Sequence, residues 1–356
     1  MTFEAPPTMS IKDAEKEAEK QHMIFKADVI AGRVSLVKDI TMNQLIDAVY
    51  KEYVLVKLKV NTQLNYTNIY NNYLIPEFGN LNVKDITPLH IQKFTNKLSA
   101  KLKATTIHGI ISCLNKTFKF AIKWGYLEKN PCQYVEKPVH YNSNNELMSL
   151  DNIEKLVDYY INKETNLLHR AAFCLAIGCG LRNAEIRALT INDIDFENKI
   201  INVDKQVGKV RDSNGKIIKN VDTSTKTYSS KRKIYAPQFV LDAVKDHIDN
   251  MPYIPISKKI FWSHITNAPL TKECLSIRFK RILLELKLPE IRFHDLRHLQ
   301  ATILIQSGVN AKAVSKRMGH SKVNVTLNTY ASTIDAVDQK IADDLNDTFK
   351  NLKSLS

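Results

Sequence analysis

Arg292-Phe293-His294-Asp295-Leu296-Arg297-His298, followed by Met318-Gly319-His320 and then Thr329-Tyr330, is the stretch that decides how this chain is read. His294 and Arg297 stand three positions apart in a predicted helix, so their side chains leave neighbouring points of one face. A guanidinium is a rigid fork of donors matched to phosphate oxygens, and an imidazole beside it can donate one more hydrogen bond to the same group. Tyr330, a short way downstream, offers a phenol. Taken alone, the motif is better read as a surface Arg-Asp pair within Asp295-Leu296-Arg297. The rest of the chain has to decide between them.

The 356 residues suffice for two or three domains, each with its own core. The 51 Lys and Arg against 37 Asp and Glu leave a formal charge of +14, which points to a polyanion such as DNA or RNA and is also compatible with anionic lipid. The longest apolar run, Ala171 to Leu181, is too short to span a bilayer, and Met1-Thr2-Phe3-Glu4 lacks the basic start of a signal peptide. A cytoplasmic protein without a membrane partner is expected. Cys113, Cys132, Cys174, Cys179 and Cys274 are scattered and form no Cys-x-x-Cys pair, so buried thiols are expected rather than disulfides or a zinc knuckle. Gly178-Cys179-Gly180 lacks the third glycine of a dinucleotide fingerprint and reads as a helix stop; no cofactor is expected.

Residues 1–40 read as a helix from Ser10 to about Ala31 plus a linker. Residues 41–138 carry four helical patterns, Met42 to Leu58, Gln63 to Ile75, Thr87 to Leu98 and Thr105 to Gly125, with breakers at Pro76 to Gly79 and around Pro88. In the fourth, Ile107, Ile110, Ile111, Leu114, Phe118 and Ile122 share one face while Lys116, Lys119 and Lys123 cluster on the other. With Lys93, Lys97, Lys101 and Lys103 they make a candidate phosphate-contacting surface. A polar, aperiodic stretch at 139–148 marks a boundary.

The part from 149 to 333 opens with helices at Ser149 and at Asn166 to Ile177. It turns β-rich with a strand at Lys199 to Val203, an Asn-Gly hairpin turn at Asp212 to Lys216 and a strand at Lys231 to Tyr235 that pairs back toward it. Helical patterns then resume from Pro237, apart from a short strand at Lys259 to Trp262. Residues 334–356 place Ile334, Val337, Ile341, Leu345, Phe349 and Leu352 along one helical stripe.

Five features stand in order: Gly-Leu-Arg182-x-x-Glu185, Lys226-Thr227 with Ser230-x-Arg232, His294-x-x-Arg297-His298, Gly319-His320 and Tyr330. Together they resemble the catalytic signature of tyrosine recombinases, the phage-integrase family, and the long hairpin resembles integrases of conjugative transposons and related temperate phages. The resemblance covers roughly residues 41–335. It implies a multidomain, mainly α protein: a helical, SAM-like core-binding bundle, then a mixed α+β, mostly helical catalytic domain with a small antiparallel sheet. Residues 1–40 would be what remains of an arm-binding domain.

The implied activity is site-specific DNA strand transfer through a 3′-phosphotyrosine intermediate, moving a mobile element or prophage. Arg182 and Arg297 would clamp the scissile phosphate and Glu185 would buttress Arg182. His294 and His320 would hydrogen-bond the phosphate, Lys226 would protonate the departing 5′ oxygen, and Tyr330 would attack. Arg232 and the lysines would contact DNA. Implied partners are double-stranded attachment sites, a homotetramer on two duplexes in which the 334–356 helix is exchanged between protomers, and DNA-bending or excision accessory proteins.

Two other classes fit parts of the sequence. His294 and His298, four apart on one helical face, would suit a zinc-dependent hydrolase, although Asp295 is short for its base and Arg297 sets a fixed cation beside the metal. A DNA-binding regulator that has lost the chemistry is the other, and a type IB topoisomerase is a close cousin.

Overall fold

The computed structural model describes residues 6, 9–30, 39–139, 148–224 and 231–319. The chain forms two compact units, Met1–Asn142 and Ser143–Ser356.

In the first unit α1 (Ile11–Ile30) precedes a helical bundle. α2 (Met42–Val49) starts at a reciprocal cap: the Thr41 hydroxyl accepts from the Gln44 N–H, and the Gln44 side chain accepts from the Thr41 N–H. A wide π turn, Tyr50–Val54, carries α2 into α3 (Leu55–Lys57). A second, Tyr70–Leu74, carries α4 (Val60–Ile69) into α5 (Ile75–Phe78). The break expected at Pro76 to Gly79 therefore falls at the far end of that range, and Pro76 itself lies within the helix. The Ile75 N–H reaches back five residues to the Tyr70 carbonyl, and this wider turn makes room for the proline ring that an ordinary helical turn would exclude. The helix ends three residues later than the breaker suggested, at Phe78.

α6 (Pro88–Ser99) begins with Pro88 in its first turn behind the Thr87 cap, so that proline starts a helix. α7 (Ala104–Lys123) buries Ile107, Ile110, Ile111, Leu114 and Phe118 as its spacing required, whereas Ile122 is exposed. These residues join Leu45, Val49, Leu74, Phe78 and Phe94 in one core. A buried Tyr70 hydroxyl to Thr117 hydroxyl bond of 3.1 Å satisfies its two polar groups.

The second unit is built around α9 (Leu167–Cys179), whose residues from Ala171 to Ile177 are all buried. It follows α8 (Leu150–Asp158) and a further π turn, Tyr159–Lys163, and is succeeded by the short α10 (Asn183–Ile186). β1 (Ile194–Asp195), β2 (Ile200–Val203) and β5 (Arg232–Tyr235) form a three-stranded antiparallel sheet in the order β1-β2-β5. β3 (Lys205–Arg211) and β4 (Ile217–Ser224) form a separate hairpin, so β5 pairs with β2 and not with the hairpin. Asp212 organises the hairpin turn, its carboxylate accepting from the N–H groups of Asn214 at 3.0 Å and Lys216 at 2.8 Å.

α11 (Gln238–Asp249) packs on α9, and Gly178 permits that approach: a Cβ there would lie 2.5 Å from Val240 Cγ2. Of the Gly178-Gly180 pair, only Gly180 is the helix stop. β6 (Trp262–Ser263) and β7 (Ala268–Pro269) form a small ribbon before α12 (Lys272–Glu285), α13 (Asp295–Gln306) and α14 (Ala311–Met318). All five cysteines are free thiols, and four of them are buried. Among the described residues no helix is long and apolar enough to cross a membrane.

Candidate active site and nucleic-acid interface

α9 ends at Gly180 in the left-handed conformation, which turns the chain so that Arg182 caps the start of α10. Glu185, 2% exposed, then holds Arg182 twice, accepting from its Nη1 at 2.7 Å and from its backbone N–H at 2.9 Å. Burial pushes the Glu185 carboxyl up, but the bonds and charges of Arg232 and Arg182 outweigh it and hold it at about 2. Glu185 is therefore an anion held against the Arg182 side chain and backbone.

Arg297 is buried on α13 and does not pair with Asp295; that carboxylate binds Arg292 instead, with Oδ1 2.7 Å from Nη2. The Arg297 fork donates to the carbonyls of Gly180 and Met318. Arg182 Nη2 lies 3.5 Å from the Gly319 carbonyl, and Arg232 Nε donates to the Arg317 carbonyl at 2.8 Å. Three arginines from three elements thus meet three successive carbonyls at the end of α14, where helix geometry leaves acceptors unsatisfied. His294 caps α13 beside them. The residue keeps an exposed edge, yet desolvation of its imidazole, then the neighbouring His298 ring and the Arg297 and Arg182 cations, push it down to about 4, so it is neutral at pH 7.

Arg232 departs from its expected place on the DNA face. Its side chain is 6% exposed and makes a two-pronged ion pair with Glu185. The alternation of β5 carried that signal: Arg232 shares a strand face with Ile234, which is buried, while Lys233 and Tyr235 point outward. Gln300 and Arg317 were also not anticipated as parts of this region. Both donate to the Gly178 carbonyl and so tie α13 and α14 to the last turn of α9. Lys226, His320 and Tyr330 lie outside the described residues, as does the 334–356 segment.

His294 and His298 stand with ring centroids 5.3 Å apart at 89° to each other, yet among the described residues no group of three His, Cys, Asp or Glu could hold a metal ion. Among the described residues the zinc-hydrolase reading thus has a His pair and no third ligand.

On the first unit the lysines divide. Lys93, Lys101, Lys103, Lys119 and Lys123 are exposed. Lys97 is held by Glu77 at 2.8 Å, and Lys116 lies over the rings of Tyr53 at 5.0 Å and Phe120 at 5.2 Å. Lys119 and Lys123 extend a stripe that the lysine pattern alone did not reveal: Thr105, Gly109, Ser112, Lys116, Lys119 and Lys123 follow one another at steps of four and three along α7. A Cβ at Gly109 would meet nothing within 4 Å. The stripe offers hydroxyls and a bare backbone at one end and cations at the other, which suits close approach of a sugar-phosphate chain.

A helical bundle, three small antiparallel sheets and three arginines gathered at one helix end are the frame in which the chain's relatives can be read. The phage integrase family matches residues 146–336, and its N-terminal SAM-like domain matches residues 39–99. A "Tyrosine recombinase XerC-like" protein of Caldanaerobacter subterraneus subsp. tengcongensis is 30% identical over 94% of this chain and 90% of its own length. The integrase of transposon Tn1549, solved with transposon right end DNA, superposes with a TM-score of 0.71 at 23% identity, covering 85% of this chain and 99% of that one. A lambda integrase tetramer bound to a Holliday junction gives a TM-score of 0.61 at 19% identity, over 88% of each chain. The chain belongs to the phage integrase family. It is a tyrosine recombinase, an enzyme that breaks and rejoins DNA, and neither the hydrolase nor the non-catalytic regulator is supported.

Proposed function

We propose that the chain recombines the attachment sites of a mobile element, with Arg182, Arg297, His294 and His320 holding the scissile phosphate, Lys226 as general acid and Tyr330 as nucleophile. The observation that carries this is the convergence of Arg182 and Arg297 at the end of α14, on the carbonyls of Met318 and Gly319 just before His320, with His294 close enough to both to feel their charge. Each group has a reason. A phosphodiester repels nucleophiles and gains charge at its transition state, and guanidiniums already fixed in place stabilise that charge with little reorganisation. Neutral His294 can donate one further hydrogen bond.

Tyr330 Oη would form a bond to phosphorus as the P–O5′ bond breaks, giving a 3′-phosphotyrosyl enzyme. The phenol proton passes to a nearby base, and Lys226 donates a proton to the departing 5′ oxygen, a step worth about 10²–10⁴-fold. A second 5′-hydroxyl reverses the ester on a new partner. Lys93, Lys101, Lys103, Lys119 and Lys123 would contact phosphates on the first unit, with Lys97 and Lys116 contributing less. The Tn1549 relative is solved on transposon end DNA and the lambda relative as a tetramer on a Holliday junction, which supports a duplex substrate and a tetramer for this chain. The 334–356 segment would link its protomers, accessory DNA-bending or excision proteins would bias direction, and the cytoplasm is the expected location.

The test is incubation in chelator with a nicked duplex carrying the element's end, followed by denaturing electrophoresis. A covalent adduct is expected that Tyr330→Phe abolishes while DNA binding survives. An adduct that persists in Tyr330→Phe overturns the choice of nucleophile, and no adduct on a verified site overturns the chemistry.

A further inference from the structure

Arg232 joins elements far apart in sequence. Its Nη1 and Nη2 lie 3.2 and 3.0 Å from the two Glu185 oxygens, and its Nε reaches the Arg317 carbonyl at 2.8 Å. Glu185 is the same carboxylate that orients Arg182, and Arg317 stands three residues before His320. Arg232 itself opens β5, six residues after Lys226.

We propose that Arg232 is a positioning residue for DNA cleavage: it fixes Glu185, and through it Arg182, while securing the end of α14 that leads to His320. The proposal rests on the reading of Arg182 as a phosphate clamp.

The charge count shows what this side chain supplies. Glu185 with Arg182 and Arg297 alone would leave a net charge of one cation facing the phosphate. With Arg232 neutralising Glu185, the carboxylate still orients Arg182 by a hydrogen bond, and two cations remain for the phosphate. A buried carboxylate left with one partner would draw Arg182 more tightly to itself and compete with DNA for it. The geometry also demands an arginine, because a lysine ammonium is a point donor that cannot span two carboxylate oxygens and a carbonyl on another element.

Glu185 faces charge from two elements, Arg232 on β5 and Arg182 at the start of α10. Both hold it ionised. Without Arg232 its proton affinity rises, so protonation enters at a higher pH and cleavage is lost as pH falls.

The experiment measures the rate of covalent adduct formation and DNA affinity across pH 5 to 9 for the full chain. It compares wild type with Arg232→Met, Arg232→Lys, the double variant Arg232→Met/Glu185→Gln, and Arg182→Lys. Arg232→Met is expected to cleave more slowly by on the order of 100-fold, as for a displaced catalytic group, with binding retained. It should also lose rate on the acid side at a higher pH than wild type does, a displacement that the double variant abolishes, since glutamine does not titrate. Arg232→Lys should fall between the two in rate without the displacement, because its charge persists.

A pH profile for Arg232→Met parallel to wild type overturns the proposal, as does a displacement that survives Glu185→Gln. Where Arg232→Met fails to fold, Arg232→Lys decides: a wild-type rate overturns the proposal. A fully active Arg182→Lys overturns the clamp and the proposal together, whereas an inactive Arg182→Lys beside a fully active Arg232→Met overturns the proposal alone.

Discussion

Replacing Gly180 by alanine tests whether the turn after α9 is as tight as the geometry requires. Gly180 has φ +64°, where an L side chain costs roughly 1–2 kcal/mol. A Cβ would also lie 2.2 Å from Gln300 Oε1 and 2.7 Å from Met318 Sδ. Both are side-chain atoms and can yield in part, but Met318 is fully buried, so overpacking adds about 1–3 kcal/mol. The sum centres on about 3.5 kcal/mol. Two tryptophans make this measurable by unit: with Trp124→Phe in the first unit, Trp262 fluorescence follows the second.

With a urea slope of about 2 kcal/mol/M, the unfolding midpoint should drop by about 1.8 M. Gly215→Ala is the control. It shares the left-handed backbone at φ +77° but has nothing within 4 Å, so it should lose only about 1 kcal/mol. Equal losses at the two glycines would refute the packing argument. Because the Gly180 and Met318 carbonyls both hold Arg297, adduct formation per folded molecule should also fall, by on the order of 100-fold. A rate unchanged per folded molecule would show that this turn does not position Arg297.

Two further outcomes follow from other parts of the molecule. Lys119→Ala and Lys123→Ala should each weaken DNA binding and lower the salt slope by about 1, whereas Lys97→Ala, already paired with Glu77, should change it less; equal slopes for all three, from titrations at several salt concentrations, would contradict this. His294, at about 4 in the folded chain against 6.5 when free, binds its proton more readily in the unfolded state. It therefore contributes stability above pH 6.5 that is lost as pH falls toward about 4. His294→Gln should flatten the drop in urea midpoint between pH 7 and pH 5, and an unaltered drop would assign it to other groups.

Periodicity made most of the architecture legible, because burial imposes it: the apolar positions of α7 and the alternation of β2 and β5 follow directly from which face meets the core. Local rules failed where a neighbouring turn compensated. Pro76 is a helix breaker by its own chemistry, and only the π turn at Tyr70–Leu74 lets the helix run on to Phe78. The residue types of the site were legible from spacing, but not which cation faces inward. Arg232 was assigned to DNA because charge is visible in a sequence, while Glu185, the carboxylate that claims it, is brought close only by the fold; the pairing of the exposed Lys97 with Glu77 was hidden for the same reason. Arg297 was open to pairing with Asp295 for the same reason, and the fold gives Asp295 to Arg292.

The meeting of Arg182, Arg232 and Arg297 at the end of α14 explains why so much of the second unit serves one short segment. The last carbonyls of a helix carry partial negative charge, enough to orient a guanidinium and too little to neutralise it. Arg297, on the Gly180 and Met318 carbonyls, is thus held in place with its charge intact, whereas Arg182 is held chiefly by Glu185, whose charge Arg232 offsets; fixed donors of this kind are what electrostatic catalysis demands before a substrate arrives. The same contacts fix the chain on the residues immediately before His320. Groups that share a helix end in this way are energetically coupled, so the loss of any one is felt through the others and cannot be read as that residue's separate contribution.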